Sequence, residues 1–267
     1  MKYTLKYKET LVNLEDKNMK IGIIGIGAIG GTIARKLAEK GHEVKVANSR
    51  GKDSVKEFAD EIGAHPSDLN EISENVDILI LSVPYSAIDS IPNEVFADLS
   101  SDAIVVDTGN FYPEIRDGEI EGLGNGEVES LWVSSKIERP VIKAFNTLLA
   151  YSLSELGLEK GEDGRLAMQV AGDDEKEKEI VMDLVDQCGF DPYDAGTLAE
   201  SWKMQPTSAG YCCDYTVDEL KSIKEKSTQT PESVAENRVN VMGNFANLTG
   251  GDFSHENVIS INRKYNI

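Results

Sequence analysis

Residues 21–30 read IGIIGIGAIG, and no other stretch of the chain limits the fold so tightly. KIGII is a nearly continuous apolar run, as expected of a strand buried on both faces. Behind it, Ile29, Ile33 and Leu37 recur at helical spacing, and Gly41 stands where a helix would close. The Gly-x-Gly-x-x-Gly of Gly25, Gly27 and Gly30 therefore sits between a buried strand and a helix. Gly25 permits the tight turn and Gly27 lets the backbone approach a pyrophosphate. Gly30 lets the helix pack closely on the strand. With Ala28 and Ile29 they open a helix whose free N–H groups and dipole favour phosphate.

The same alternation continues along the chain. HEVKVA is a second strand, and Val55, Phe58, Ala59 and Ile62 stripe a second helix closed by Gly63. DILILSV, AIVVD, VIKAF and LAMQVAG are further buried runs, and DPYDAG returns as a last strand. Strands alternating with helices predict an α/β fold with a doubly wound parallel sheet, because parallel crossovers place helices on the sheet's faces. This dinucleotide-binding domain covers residues 19–200. Residues 1–18 read as a polar extension with no role in the fold. Residues 201–267 read as a C-terminal extension. From about Lys226 it is Asn-rich and weakly patterned, so either disordered or docked on a partner subunit.

The end of the second strand selects the cofactor. An NAD site usually carries Asp or Glu there for the ribose 2′-hydroxyl. Here the chain reads Ala47, Asn48, Ser49, Arg50, with no acid. Ser49 can donate a hydrogen bond, Arg50 can pair with a 2′-phosphate and stack on adenine, and Lys52 adds a second cation. NADP(H) is the expected cofactor.

The formal net charge of −20 over 267 residues repels phosphate backbones and anionic lipid, which argues against nucleic-acid and membrane partners. No apolar run approaches the ~20 residues a membrane span needs. Three cysteines, Cys188, Cys212 and Cys213, make neither a disulfide framework nor a metal-ligand spacing. A reducing cytoplasm is the expected setting. Cys188 reads as a small core residue, and a redox role for the neighbouring pair is the lesser alternative.

In order, GIGAIG followed by NSR, LSVPYSAI, KAFNT, VAGDDEKEKEIVMDLV and FDPYDAGTLAES resemble the deazaflavin-dependent NADP reductases, which pass hydride between NADP(H) and coenzyme F420. KAFNT is also similar to the cytosolic domain of the six-transmembrane ferric reductases, which use a flavin. The resemblance implies that Ser49 and Arg50 hold the 2′-phosphate and that Val83 and Pro84 lie along the cofactor. It places Tyr85 near the nicotinamide or adenine side, and Ala144, Phe145 and Asn146 beside the nicotinamide. It also implies a homodimer formed through the C-terminal region. The chain departs from the family at Asn146, where His is common, and after Ser201, where apolar helices would build the acceptor pocket.

The expected activity is hydride transfer between NADP(H) and a small-molecule acceptor, flavin-like or a deazaflavin. Reduction of a carbonyl needs a proton donor, yet His42, His65 and His255 all lie away from the carboxyl ends of the expected strands. That favours a ring acceptor, with Lys143, Lys203, Tyr151 and Tyr211 as remaining donors. Trp202 and Met204 would then line the acceptor pocket, unless they are simple core. Two alternatives stand beside this reading: a dehydrogenase of a small hydroxy or imino acid, and a non-catalytic NADP(H) sensor.

Overall fold

The computed structural model describes residues 18–267. The expectation for the N-terminal extension therefore falls, Asn18 apart, outside the described residues. Six parallel strands form the main sheet: β1 (Lys20–Ile24), β2 (Glu43–Ala47), β3 (His65–Pro66), β4 (Ile78–Leu81), β5 (Ile104–Asp107) and β6 (Ile142–Lys143). Their spatial order is β3-β2-β1-β4-β5-β6, the dinucleotide-binding order, with its reversal between β1 and β4. Helices α1 (Ala28–Glu39), α2 (Asp53–Ile62), α3 (Asn93–Ala97), α4 (Glu129–Ile137) and α5 (Ala150–Glu155) follow the strands. Helices on both faces divide the core in two. One half is built on Ile21, Ile23, Ile33 and Leu37, and the other on Ile24, Leu79, Leu81 and Val105.

One strand of the main sheet is not expected from the sequence, and the placing of the last two strands needs correction. The short β3 carries no apolar pattern; Pro66 is tolerated there because β3 is an edge strand. The last two strands, β7 (Ala167–Val170) and β8 (Asp191–Asp194), do not extend the main sheet. They pair with each other in parallel and touch β6 through one antiparallel bridge between Lys143 and Ala171. The edge strand β6 ends early because Phe145 takes a φ of 60°, which turns the backbone out of the sheet. Helix α6 (Glu175–Gln187), capped by the Asp174 carboxylate on two backbone N–H groups, joins β7 to β8.

The C-terminal segment, expected from about Lys226 to be either disordered or docked on a partner subunit, is helical in the described residues. It forms α7 (Val217–Lys226), α8 (Pro231–Met242), α9 (Phe245–Leu248) and α10 (His255–Tyr265). Thr216 and Glu219 box the start of α7, and Thr230 with Pro231 opens α8. The asparagines have a specific task. Residues 211–214 form a turn in which Cys212 and Asp214 have positive φ, so its carbonyls cannot join a regular ladder. Asn266 Nδ2 donates to the Tyr211 carbonyl, Asn262 Nδ2 to Cys212, and Arg263 to Cys213 and Asp214. His255 pairs with the Asp214 carboxylate at 2.9 Å. All three cysteines are free and buried, and burial pushes the Cys188 and Cys213 thiols up to about 12. Among the described residues no helix is long and apolar enough to cross a membrane.

Candidate active site

The three glycines answer to three different surroundings. Gly25 has a φ of +97°, and a Cβ there would lie 2.9 Å from the Ser82 carbonyl carbon. Gly30 faces the same neighbour: its Cβ would lie 2.8 Å from that of Ser82, so glycine alone lets α1 approach β4 this closely. A Cβ on Gly27 would meet nothing within 4 Å. The middle glycine is therefore not required by the fold itself. The space in front of it is open, Gly27 and Ala28 are exposed, and no side chain caps the first turn of α1. Its backbone N–H groups are left for an acceptor from outside the chain.

That opening leads into a cavity of about 590 Å³ at the carboxyl ends of β1, β2 and β4. Gly25 and Gly27 form its floor. Asn48, Ser49 and Arg50 line one end, and Val83 and Pro84 line the other wall. Ile29 is half-buried behind the first turn of α1 and Gly30 is buried against β4. Asn48 shapes its end of the cavity: its Oδ1 accepts the Arg50 N–H at 2.8 Å and faces the Ser54 hydroxyl at 2.8 Å. The turn so formed leaves Ser49 and Arg50 exposed, and Arg50 makes no ion pair among the described residues. A nearby acid, Asp68, has one carboxylate oxygen engaged by the Lys52 N–H at 2.8 Å. Open floor, uncapped helix and unpaired guanidinium fit a dinucleotide that carries an extra phosphate.

The remaining predicted residues are placed elsewhere. Tyr85 turns under the site and is 1% exposed. Its hydroxyl donates to Asp107 at 2.8 Å and its ring stacks on Trp132. Burial, then the Asp107 carboxylate, pushes its pKa well up. Ala144 and Phe145 are fully buried in the core beside β6. Asn146 is buried at the strand end. Its Nδ2 donates to Asn110 Oδ1 at 2.9 Å and to the Met204 carbonyl at 2.8 Å, while its Oδ1 has no partner. Met204 packs with Ala171 and Ala195, and Trp202 is half-buried beneath the Lys203 ammonium. Tyr211 meets Tyr112, hydroxyl to hydroxyl, at 2.5 Å, and both are pushed up chiefly by burial.

Sequence reasoning missed Asp107 as a partner of this region. Its signal was an acid closing the apolar run AIVVD at the carboxyl end of a strand, where ligands bind in this fold. In the sequence Lys143 reads as one of four candidate proton donors. It is instead fully buried and ion-paired with Asp107 at 3.0 Å.

The family model described as NADP oxidoreductase, coenzyme F420-dependent, matches residues 20–111. The protein YjhV of Escherichia coli K12 is 36% identical over 110 residues, which covers 41% of this chain and 77% of that protein. The chain belongs to the F420-dependent NADP oxidoreductase family. It is an NADP-dependent oxidoreductase with the Rossmann fold. The crystal structure of the hypothetical protein SMa0349 of Sinorhizobium meliloti is similar at a TM-score of 0.58 and 30% identity, covering 72% of this chain and 91% of that one. A protein of Arthrobacter sp. FB24, provisionally assigned as an F420-dependent NADP reductase, shares the fold at a TM-score of 0.57 and 21% identity, covering 68% of this chain and 86% of its own. The family match runs from β1 to Phe111 in the loop after β5, so it spans the glycine cradle and the Asn48–Arg50 turn.

Proposed function

We propose that this oxidoreductase binds NADP(H) in the cavity between Gly27 and Arg50 and exchanges hydride with a ring acceptor, a flavin or a deazaflavin. The supporting observation is Arg50, which makes no ion pair among the described residues and whose backbone the Asn48 turn fixes beside Ser49 at the end of β2, where no acid stands. A carboxylate there would repel a 2′-phosphate, whereas a guanidinium pairs with it. In this reading the glycine floor and the first turn of α1 hold the pyrophosphate, and Val83 and Pro84 direct the cofactor toward the ends of β5 and β6. Bound NADPH supplies the hydride, and the chain's own contribution is to position the ring and exclude water.

Calorimetric titration of Arg50→Ala tests the cofactor half. A lost charge-assisted contact of about 1.5–3 kcal/mol weakens NADPH roughly tenfold or more and leaves NADH unchanged; equal loss for both refutes it. Assays of NADPH oxidation with FMN, F420 and small keto or imino acids test the acceptor half. Turnover confined to the acids would assign the alternative dehydrogenase chemistry, and binding without turnover would assign a sensor.

A further inference from the structure

Lys143 and Asp107 close β6 and β5 side by side and are 0% and 1% exposed. Nζ of Lys143 donates to Asp107 Oδ2 at 3.0 Å, to the Tyr85 hydroxyl at 3.1 Å and to the Gly109 carbonyl. Asp107 Oδ2 also accepts from Ser130 and Tyr85, both at 2.8 Å, and Oδ1 accepts the Gly109 N–H at 2.8 Å. The pair therefore grips Gly109 at both its N–H and its C=O. Nothing larger than glycine fits the grip, since a Cβ there would lie 2.8 Å from Cδ1 of Tyr85.

The next residue is Asn110. Its carbonyl accepts from Arg116 at 2.7 Å, and its side chain meets Asn146 twice: Oδ1 accepts Asn146 Nδ2 at 2.9 Å, and Nδ2 donates to the Asn146 carbonyl at 3.2 Å. These bonds fix the orientation of both carboxamides and leave Asn146 Oδ1 buried with no donor. The two side chains thus bridge the loops after β5 and β6, with β4 between them and β1, which carries the glycine cradle. A buried ion pair is a poor way to gain stability, because apolar residues of similar volume generally do as well. Its geometry can still select one orientation of what it touches.

We propose that Lys143 is a positioning residue: with Asp107 it holds the Gly109 peptide, and through it the Asn110–Asn146 pair, in the pose that receives the nicotinamide ring. The inference rests on the NADP(H) reading above. Asn146 Oδ1, the acceptor left without a donor, would then hold the ring's carboxamide, and the ion pair itself touches no reacting atom.

The test uses the full chain with NADPH as probe and three readouts: its dissociation constant, the fluorescence of its bound nicotinamide, and thermal unfolding without ligand. Lys143→Met should keep NADPH affinity within about twofold, because the phosphate grip is remote, and should lose most of the nicotinamide enhancement. Asn110→Ala should lose it too, and the double variant should be no worse than either single, since both act on one element. Lys143→Met/Asp107→Leu removes both charges, so it avoids an unpaired buried carboxylate, and should show the same loss. Full enhancement in that variant, or additive losses in Lys143→Met/Asn110→Ala, overturns the inference while leaving the NADP(H) reading intact. Failure of the wild-type protein to bind NADPH overturns both.

Discussion

Gly27→Ala separates what the fold needs from what the ligand needs. Gly27 has φ −69° and ψ −168°, extended backbone that alanine adopts freely. Its methyl group would meet no atom within 4 Å in the free protein, so stability should change by less than about 0.5 kcal/mol. The bound state is different. A phosphate oxygen must come within about 3 Å of the backbone N–H groups, whereas a methyl carbon holds neighbours at about 3.5 Å or beyond. Displacing the pyrophosphate sacrifices at least one charge-assisted hydrogen bond of about 1.5–3 kcal/mol. NADPH should therefore bind at least about tenfold more weakly. NADH should suffer the same factor, since both share the pyrophosphate, in contrast to Arg50→Ala. Calorimetry of both nucleotides, with a thermal melt of the ligand-free variant, gives the comparison. A folded Gly27→Ala protein that binds NADPH as the wild type does would refute the assignment of this space to the pyrophosphate.

Three further outcomes follow from the structure. Gly30→Ala pushes α1 against Ser82 and should cost about 1–3 kcal/mol, lowering Tm by several degrees in a melt without ligand. Glu129 is buried, and desolvation raises its pKa from 4.5 to about 7 despite Lys143 and Arg238 nearby. The folded state thus holds a proton that the unfolded state has released between those pH values, so this group's contribution falls as pH rises from 4.5 to 7, by about 3 kcal/mol. Glu129→Gln should remove that slope: urea melts of variant and wild type at pH 5 and pH 8 should show the variant relatively more stable at pH 8. Asn262→Ala strips the buried Cys212 carbonyl of its donor and should destabilise by about 1–3 kcal/mol, seen as earlier urea unfolding and faster protease cleavage within residues 205–216.

The order of strands and helices was readable because strands buried on both faces need unbroken apolar runs, and because Gly41, Gly63 and Gly189 stop helices by taking positive φ. The cradle and the Asn48–Arg50 turn were readable for a similar reason, as they depend on local backbone and on charge. What escaped depends on direction. An aromatic residue at a strand end, such as Tyr85 or Phe145, can point into the site or beneath it. Tyr85 is drawn inward by the Asp107–Lys143 pair and Phe145 by its positive φ. The tail escaped because its asparagines serve particular carbonyls across about fifty residues of sequence, as Asn262 does for Cys212. Such pairing has no period to detect.

The bond from Asn266 to Tyr211 also sets an order on folding. Strands β1 to β6 are complete by residue 143 and can assemble while later residues are still being synthesised. The turn at residues 211–214 has no such freedom, because its carbonyls lack donors until residues 262–266 arrive. Cys212 N–H is bonded to the Thr147 carbonyl, just past the Asn146 end of β6. The turn at residues 211–214, and with it the Thr147 backbone just beyond β6, is therefore fixed later than the sheet it rests on.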